Sequence, residues 1–121
     1  MARYRLSEPA KAEIAAILRR SEELHGKEAR LLYRACLTAA MRRLAADPAG
    51  MSTVDRTELA PGIRSFHIRH SRDESREAPV AKPVHVIFYR VVQTSVIEIV
   101  RVLHERMEPA RHVGSHEQSE C

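Results

Sequence analysis

The stretch Val84-His85-Val86-Ile87-Phe88-Tyr89-Arg90-Val91-Val92, the link Gln93-Thr94-Ser95, and the run Val96-Ile97-Glu98-Ile99-Val100-Arg101-Val102-Leu103 decide the fold. Two β-branched, strand-sized runs around a three-residue polar connection predict a tight antiparallel hairpin. Upstream, Ile63-Arg64-Ser65-Phe66-His67-Ile68-Arg69 alternates, with Phe66 and Ile68 on one face and Ser65, His67 and Arg69 on the other. The turn dipeptide Pro61-Gly62 introduces it, and residues 48–62 read as loop. Residues Ser71 to Pro83 carry charges and two prolines but no large aromatic anchor, and they predict a long mobile flap.

Nearer the N-terminus the period changes to that of a helix. Ser7 is placed to cap, with Glu8 and Pro9 in the first turn, and Ile14, Ile17, Leu18 and Leu24 follow at helical spacing up to Gly26. Ala29, Leu32, Tyr33, Cys36, Leu37, Ala40 and Leu44 mark a second helix that Asp47-Pro48 ends. Two helices joined by one or two residues fold back as an antiparallel hairpin. With a short strand at Arg3 to Leu6, the order is β-α-α-β-β-β: an α+β fold with an N-terminal strand, a helix hairpin, then a three-stranded antiparallel sheet. One sheet face should cover the helices, and the other should stay partly open. Leu24 is expected in the core, with Leu31 the better candidate for an exposed contact.

The chain has 121 residues, room for one domain, which we assign to residues 1–113 with a flexible polar tail at 114–121. Hydrophobic residues are 44% and charged residues 30%, a globular balance with no membrane-length apolar run and no signal-peptide core. A cytoplasmic, cofactor-free protein is the expectation. Twenty Lys+Arg against sixteen Asp+Glu leaves +4, and arginine supplies nearly all of it, since Lys11, Lys27 and Lys82 are the only lysines. Arginine's planar fork suits carboxylate and phosphate contacts, but a solvated arginine-rich surface gives the same composition.

No phosphate loop, His-Glu-x-x-His pair or nucleophile elbow is present. The seven histidines and two cysteines, Cys36 and Cys121, show no metal-ligand spacing, and Cys36 falls on an apolar stripe where thiols are inert. What stands out is a basic concentration after the last strand: Arg101, His104, Arg106, Arg111 and His112, joined by Arg64, His67 and Arg69 from a strand of the same sheet. Such a group can hold phosphate or a partner's acidic side chains, or it can serve as a solvated sheet edge.

The segments Glu58-Leu59-Ala60-Pro61-Gly62-Ile63-Arg64-Ser65-Phe66, Val86-Ile87-Phe88-Tyr89-Arg90 and Ile99-Val100-Arg101-Val102-Leu103-His104-Glu105-Arg106-Met107, with Leu6-Ser7 leading into a helix, resemble the ParE branch of the RelE/ParE toxin superfamily. The resemblance spans about residues 3 to 113; the long segment Ser71 to Pro83 departs from it. It implies the toxin of a type II toxin-antitoxin module, neutralised in a hetero-oligomer by a cognate ParD-like antitoxin, with DNA gyrase trapped in its cleaved-DNA state as the target. It implies a binding inhibitor rather than an enzyme, with no cofactor and no membrane. The alternatives are a RelE-like ribosome-dependent mRNA endoribonuclease and a toxin fold with lost activity. RNA cleavage without metal needs an acid, a base and cations around the phosphate. The sheet strands here contain no lysine and the chain after Leu103 no tyrosine, although His67, His104, Glu105 and His112 are available.

Overall fold

The computed structural model describes residues 2–72 and 82–113. Strand β1 (Arg3–Leu6) leads into helix α1 (Glu8–His25) and helix α2 (Lys27–Ala46), followed by β2 (Val54–Asp55), β3 (Arg64–His67), β4 (His85–Gln93) and β5 (Val96–His104). Short 3₁₀ turns at Ile68–Ser71 and Pro109–Arg111 follow β3 and β5. The strands form one mixed sheet in the order β1-β5-β4-β3-β2, with β1 parallel to β5 and the other pairs antiparallel.

Local chemistry explains the boundaries. The Ser7 hydroxyl accepts the Ala10 N–H and donates to the Val100 carbonyl at 2.7 Å, so one side chain caps α1 and ties it to β5. Gly26, at φ 95°, takes a conformation that side-chain-bearing residues resist, which lets a single residue reverse the chain between the helices. Gly62, at φ 78°, does the same in the turn before β3. Both strands of the main hairpin are nine residues long, and Gln93 pairs with Val96. The connection is therefore Thr94-Ser95, two residues rather than the three expected.

The main core lies between the helices and one sheet face. Leu18, Tyr33, Cys36, Leu37, Ala40 and Leu44 pack against Phe66, Ile87, Tyr89, Ile97, Ile99 and Val102. Each fully buried aliphatic side chain here contributes about 2 kcal/mol of transfer free energy. The opposite face, expected from sequence to stay partly open, is more covered than that. Ala60, Ile63, Phe88, Val100, Leu103 and Val113 form a second cluster on it, with Leu59 and Val86 packed alongside. The reason lies in β4 and β5: successive residues such as Ile87 and Phe88, or Ile99 and Val100, are both apolar, as strands covered on both faces require.

Three smaller expectations also change. The loop at 48–62 holds β2, a two-residue edge strand too short to show a period. The alternation after β3 stops at His67, and Ile68 reaches the helix-side core through the 3₁₀ turn. Leu24 is 58% exposed and Leu31 60%, so Leu24 is not core. Between Leu18 in α1 and Tyr33 in α2 no residue is buried, and the tip of the hairpin stands clear of the sheet. Of the expected flap, Ser71 and Pro83 are buried at its two ends, while residues 73–81, like the tail at 114–121, lie outside the described residues.

Candidate functional site

Because β4 and β5 have equal length, the first residue of one meets the last of the other: His85 pairs with His104. Next to them β3 ends at His67, which pairs with Val86. One end of the sheet thereby gathers three histidines from three adjacent strands, with Glu105 directly after β5.

Each imidazole has its Nδ1 engaged in a hydrogen bond. His67 Nδ1 accepts the N–H of Arg69 at 3.1 Å, and His104 Nδ1 accepts the N–H of Arg106 at 3.1 Å. His85 Nδ1 lies 2.6 Å from the Tyr33 hydroxyl, which itself accepts the N–H of Val84 at 3.1 Å. Where Nδ1 accepts, as in His67 and His104, Nε2 is left as the ring's donor. His67 uses that donor on Glu105, with Nε2 and Oε1 2.6 Å apart. The hydrogen bond holds the Glu105 carboxyl below the usual carboxylate range, despite some opposing desolvation. Burial, and then the neighbouring His104 and His67, push His85 down to about 4. Burial pushes the Tyr33 hydroxyl up to about 12 against the opposing Val84 hydrogen bond. The rings of His85 and His104 meet edge-on at 5.6 Å.

A second group borders this one on the helix side. Arg43 stands over the Phe66 ring at 5.0 Å and donates to the His70 carbonyl, and the His70 ring lies 5.7 Å from Phe66. His70 is held below the ordinary histidine value, by burial first and then by the charges of Arg69, His67 and Arg43. Arg69, His70 and Arg106 are exposed.

The eight basic residues singled out by sequence thus separate. The structure brings His67, Arg69, His104 and Arg106 together at the sheet end. Arg101 is committed elsewhere: its guanidinium grips Glu13 of α1 through Nε and Nη2 and donates from Nη1 to the His112 carbonyl. Glu13 also accepts the Val102 N–H, which β1 is too short to reach. Arg64 opens β3 at its other end, where Nη2 donates to Thr53 and Nε is buried with no hydrogen-bond partner. Arg111 is exposed and pairs with Glu108. His85 and Tyr33 were missed from sequence. The equal arms of the hairpin would have set His85 against His104, whereas nothing local places Tyr33 there.

Among the described residues there is no group of three or more histidine, cysteine or carboxylate side chains able to hold a metal ion. Nor is any described helix long and apolar enough to cross a membrane. A shallow hollow lies between β1 and the end of α2, lined by Ala2, Arg3, Tyr4, Arg42, Ala45 and Ala46.

Comparison with known proteins adds three likenesses. Residues 4–109 match the family model described as the ParE toxin of the type II toxin-antitoxin system, parDE. The chain is 35% identical over 111 residues to Toxin ParE1 of Caulobacter vibrioides, covering 92% of this chain and 97% of that protein. Its fold resembles a chain solved in the chromosomal ParDE toxin-antitoxin system of P. aeruginosa, with a TM-score of 0.60 and 19% identity, over 86% of this chain and 96% of that one.

Proposed function

The chain belongs to the ParE toxin family of type II toxin-antitoxin systems, and on that footing we propose that it arrests growth by holding DNA gyrase in its cleaved-DNA state until a cognate ParD-like antitoxin neutralises it. The observation that carries this reading is the family match, which runs from within β1 to the start of the last 3₁₀ turn. The protein then acts by binding, in the cytoplasm, with no cofactor.

The chemistry of the sheet end favours binding over catalysis. Tyr33 and His85, the pair nearest in type to an acid and a base, are withdrawn from solvent and bonded to each other. One observation speaks for the alternative: Glu105 and His67 make a short contact at the surface beside His104, which supplies an acid-base pair to a RelE-like ribosome-dependent nuclease.

For the antitoxin, two surfaces fit. Among the described residues the outer edge of β1 has no strand partner, and the hollow beside it would receive side chains of an extended segment adding to that edge. Leu24 and Leu31 at the hairpin tip offer exposed apolar contacts. An acidic antitoxin segment would also be drawn to the arginine-rich surface.

Expressing the full chain alone and scoring growth, SOS induction and mRNA cleavage tests the reading. Arrest with SOS induction, reversed by the antitoxin, supports it. Arrest with ribosome-dependent mRNA cuts and no SOS response overturns it.

A further inference from the structure

Two tripeptides of the sheet end repeat one device. In His67-Ile68-Arg69 and in His104-Glu105-Arg106 the histidine closes a strand, and its Nδ1 accepts the backbone N–H of the arginine two residues on, at 3.1 Å in both. The strands concerned are β3 and β5, which flank β4, so the two anchored arginines leave the sheet about 10 Å apart on either side of one strand. His67 and Glu105 bond across that gap and lock the two turns to each other.

Neither arginine makes a salt bridge with a carboxylate among the described residues, although most arginines of the sheet do. Their surroundings are mixed in charge: His70 and the cationic Arg43 follow on one side, while the ionised carboxylate of Glu105, next to Arg106 in sequence, is held by its hydrogen bond to His67. Two exposed guanidinium forks on fixed turns, one on either side of β4, can each take an anionic oxygen of a repeating backbone.

We infer that Arg69 and Arg106, positioned by His67 and His104, form a clamp for the phosphodiester backbone of double-stranded DNA. Duplex rather than single strand follows from the aromatics. The chain has five, and Tyr33, Phe66, Phe88 and Tyr89 are all buried, while Tyr4 sits in β1 at the far edge of the sheet. Single-strand binders rely on exposed rings for base stacking, which this surface does not offer. Contact is therefore with phosphates, without sequence preference. The inference rests on the gyrase reading and extends it: a protein acting on an enzyme that holds cleaved duplex would touch the DNA as well as the enzyme.

The test is fluorescence anisotropy of the full chain with a mixed-sequence duplex, with one of its single strands, and with poly-glutamate as competitor. Arg69→Ala/Arg106→Ala is compared with Arg19→Ala/Arg20→Ala, an equal charge change at exposed positions of α1. Duplex binding should weaken with salt, the logarithmic slope flattening by about 2 in the sheet-end variant and its affinity falling about tenfold. The α1 variant should stay within about twofold of the parent. Equal losses in both variants would mean diffuse charge attraction and overturn the inference. So would tighter binding to the single strand, or equal competition by poly-glutamate, which would identify an acidic peptide site. No gyrase is present, so failure here leaves the gyrase reading standing. A chain that binds duplex yet never poisons gyrase would sink that reading alone.

Discussion

Arg101 and Arg106 stand five residues apart on the same stretch of chain and do opposite things. Arg101 is enclosed between β5 and α1, its side chain 17% exposed, with Glu13 holding two of its nitrogens and the His112 carbonyl a third. Arg106 lies past the end of β5, exposed, with its backbone pinned by His104 and no described carboxylate bonded to its side chain. The first region spends charge on architecture. There α1 covers the part of the β5 edge that β1 leaves bare, through Ser7 on the Val100 carbonyl and Glu13 on the Val102 N–H. The second region holds its arginines in fixed turns and leaves their heads to solvent. An arginine-rich composition therefore says little until each guanidinium is traced to its partner.

The largest effect should come from cutting the first region. Glu13→Ala leaves two nitrogens of a largely enclosed guanidinium, and the Val102 N–H, without their partner. We expect a loss of about 3 kcal/mol and a fall in melting temperature of about 10 °C, read by thermal unfolding. A loss below about 1 kcal/mol, the range of surface ion pairs, would erase the contrast.

Tyr33→Phe comes next. It removes the hydroxyl that serves both the Val84 N–H and His85 Nδ1, and should cost about 2 kcal/mol in denaturant unfolding. An unchanged midpoint would mean that the relay between α2 and β4 holds nothing.

The same relay sets a pH dependence. Folded, His85 stays neutral down to about 4, whereas in the unfolded chain it takes up a proton near its ordinary value of 6.5. Between those values the unfolded state binds the extra proton, so stability contributed by the neutral ring is complete above 6.5 and declines as pH falls toward 4. At 1.36 kcal/mol per pH unit the full window is worth roughly 3 kcal/mol, and partial exposure reduces this to about 2. Denaturant titrations across the window should show the decline in the parent and a flatter profile in His85→Gln. A decline of equal size in that variant would assign it to other groups.

The smallest effect on stability is expected where the effect on binding is greatest. Arg69→Ala/Arg106→Ala should leave the melting midpoint within about 0.5 kcal/mol of the parent. A larger loss would show the sheet end to be architectural like the α1–β5 edge, and the two regions would no longer differ in kind.

Much of the fold was legible in the sequence because its signals are local. The Ser7 cap, the Gly26 reversal, the Asp47 stop and the β4–β5 hairpin are each written in a few adjacent residues. What escaped was non-local. β2 exists only because Val54 and Asp55 lie against Ser65 and Arg64, and the second core cluster needs Val113 and residues 59–63 to fold across the sheet. Leu24 keeps the helical rhythm of Leu18 but projects past the packed region, which no period reveals. At the candidate site, four of the eight basic residues converge, and both His-x-Arg tripeptides are visible in the sequence. The commitment of Arg101 to Glu13, 88 positions away, is not.

The central claim is gyrase poisoning, and the most direct measurement uses the purified chain with DNA gyrase and supercoiled plasmid, quenched with detergent and protease. Linear plasmid should accumulate with added chain and disappear when the antitoxin is added first. Plasmid that stays uncut at every dose, from a chain that arrests growth and cleaves ribosome-bound mRNA, would contradict that claim.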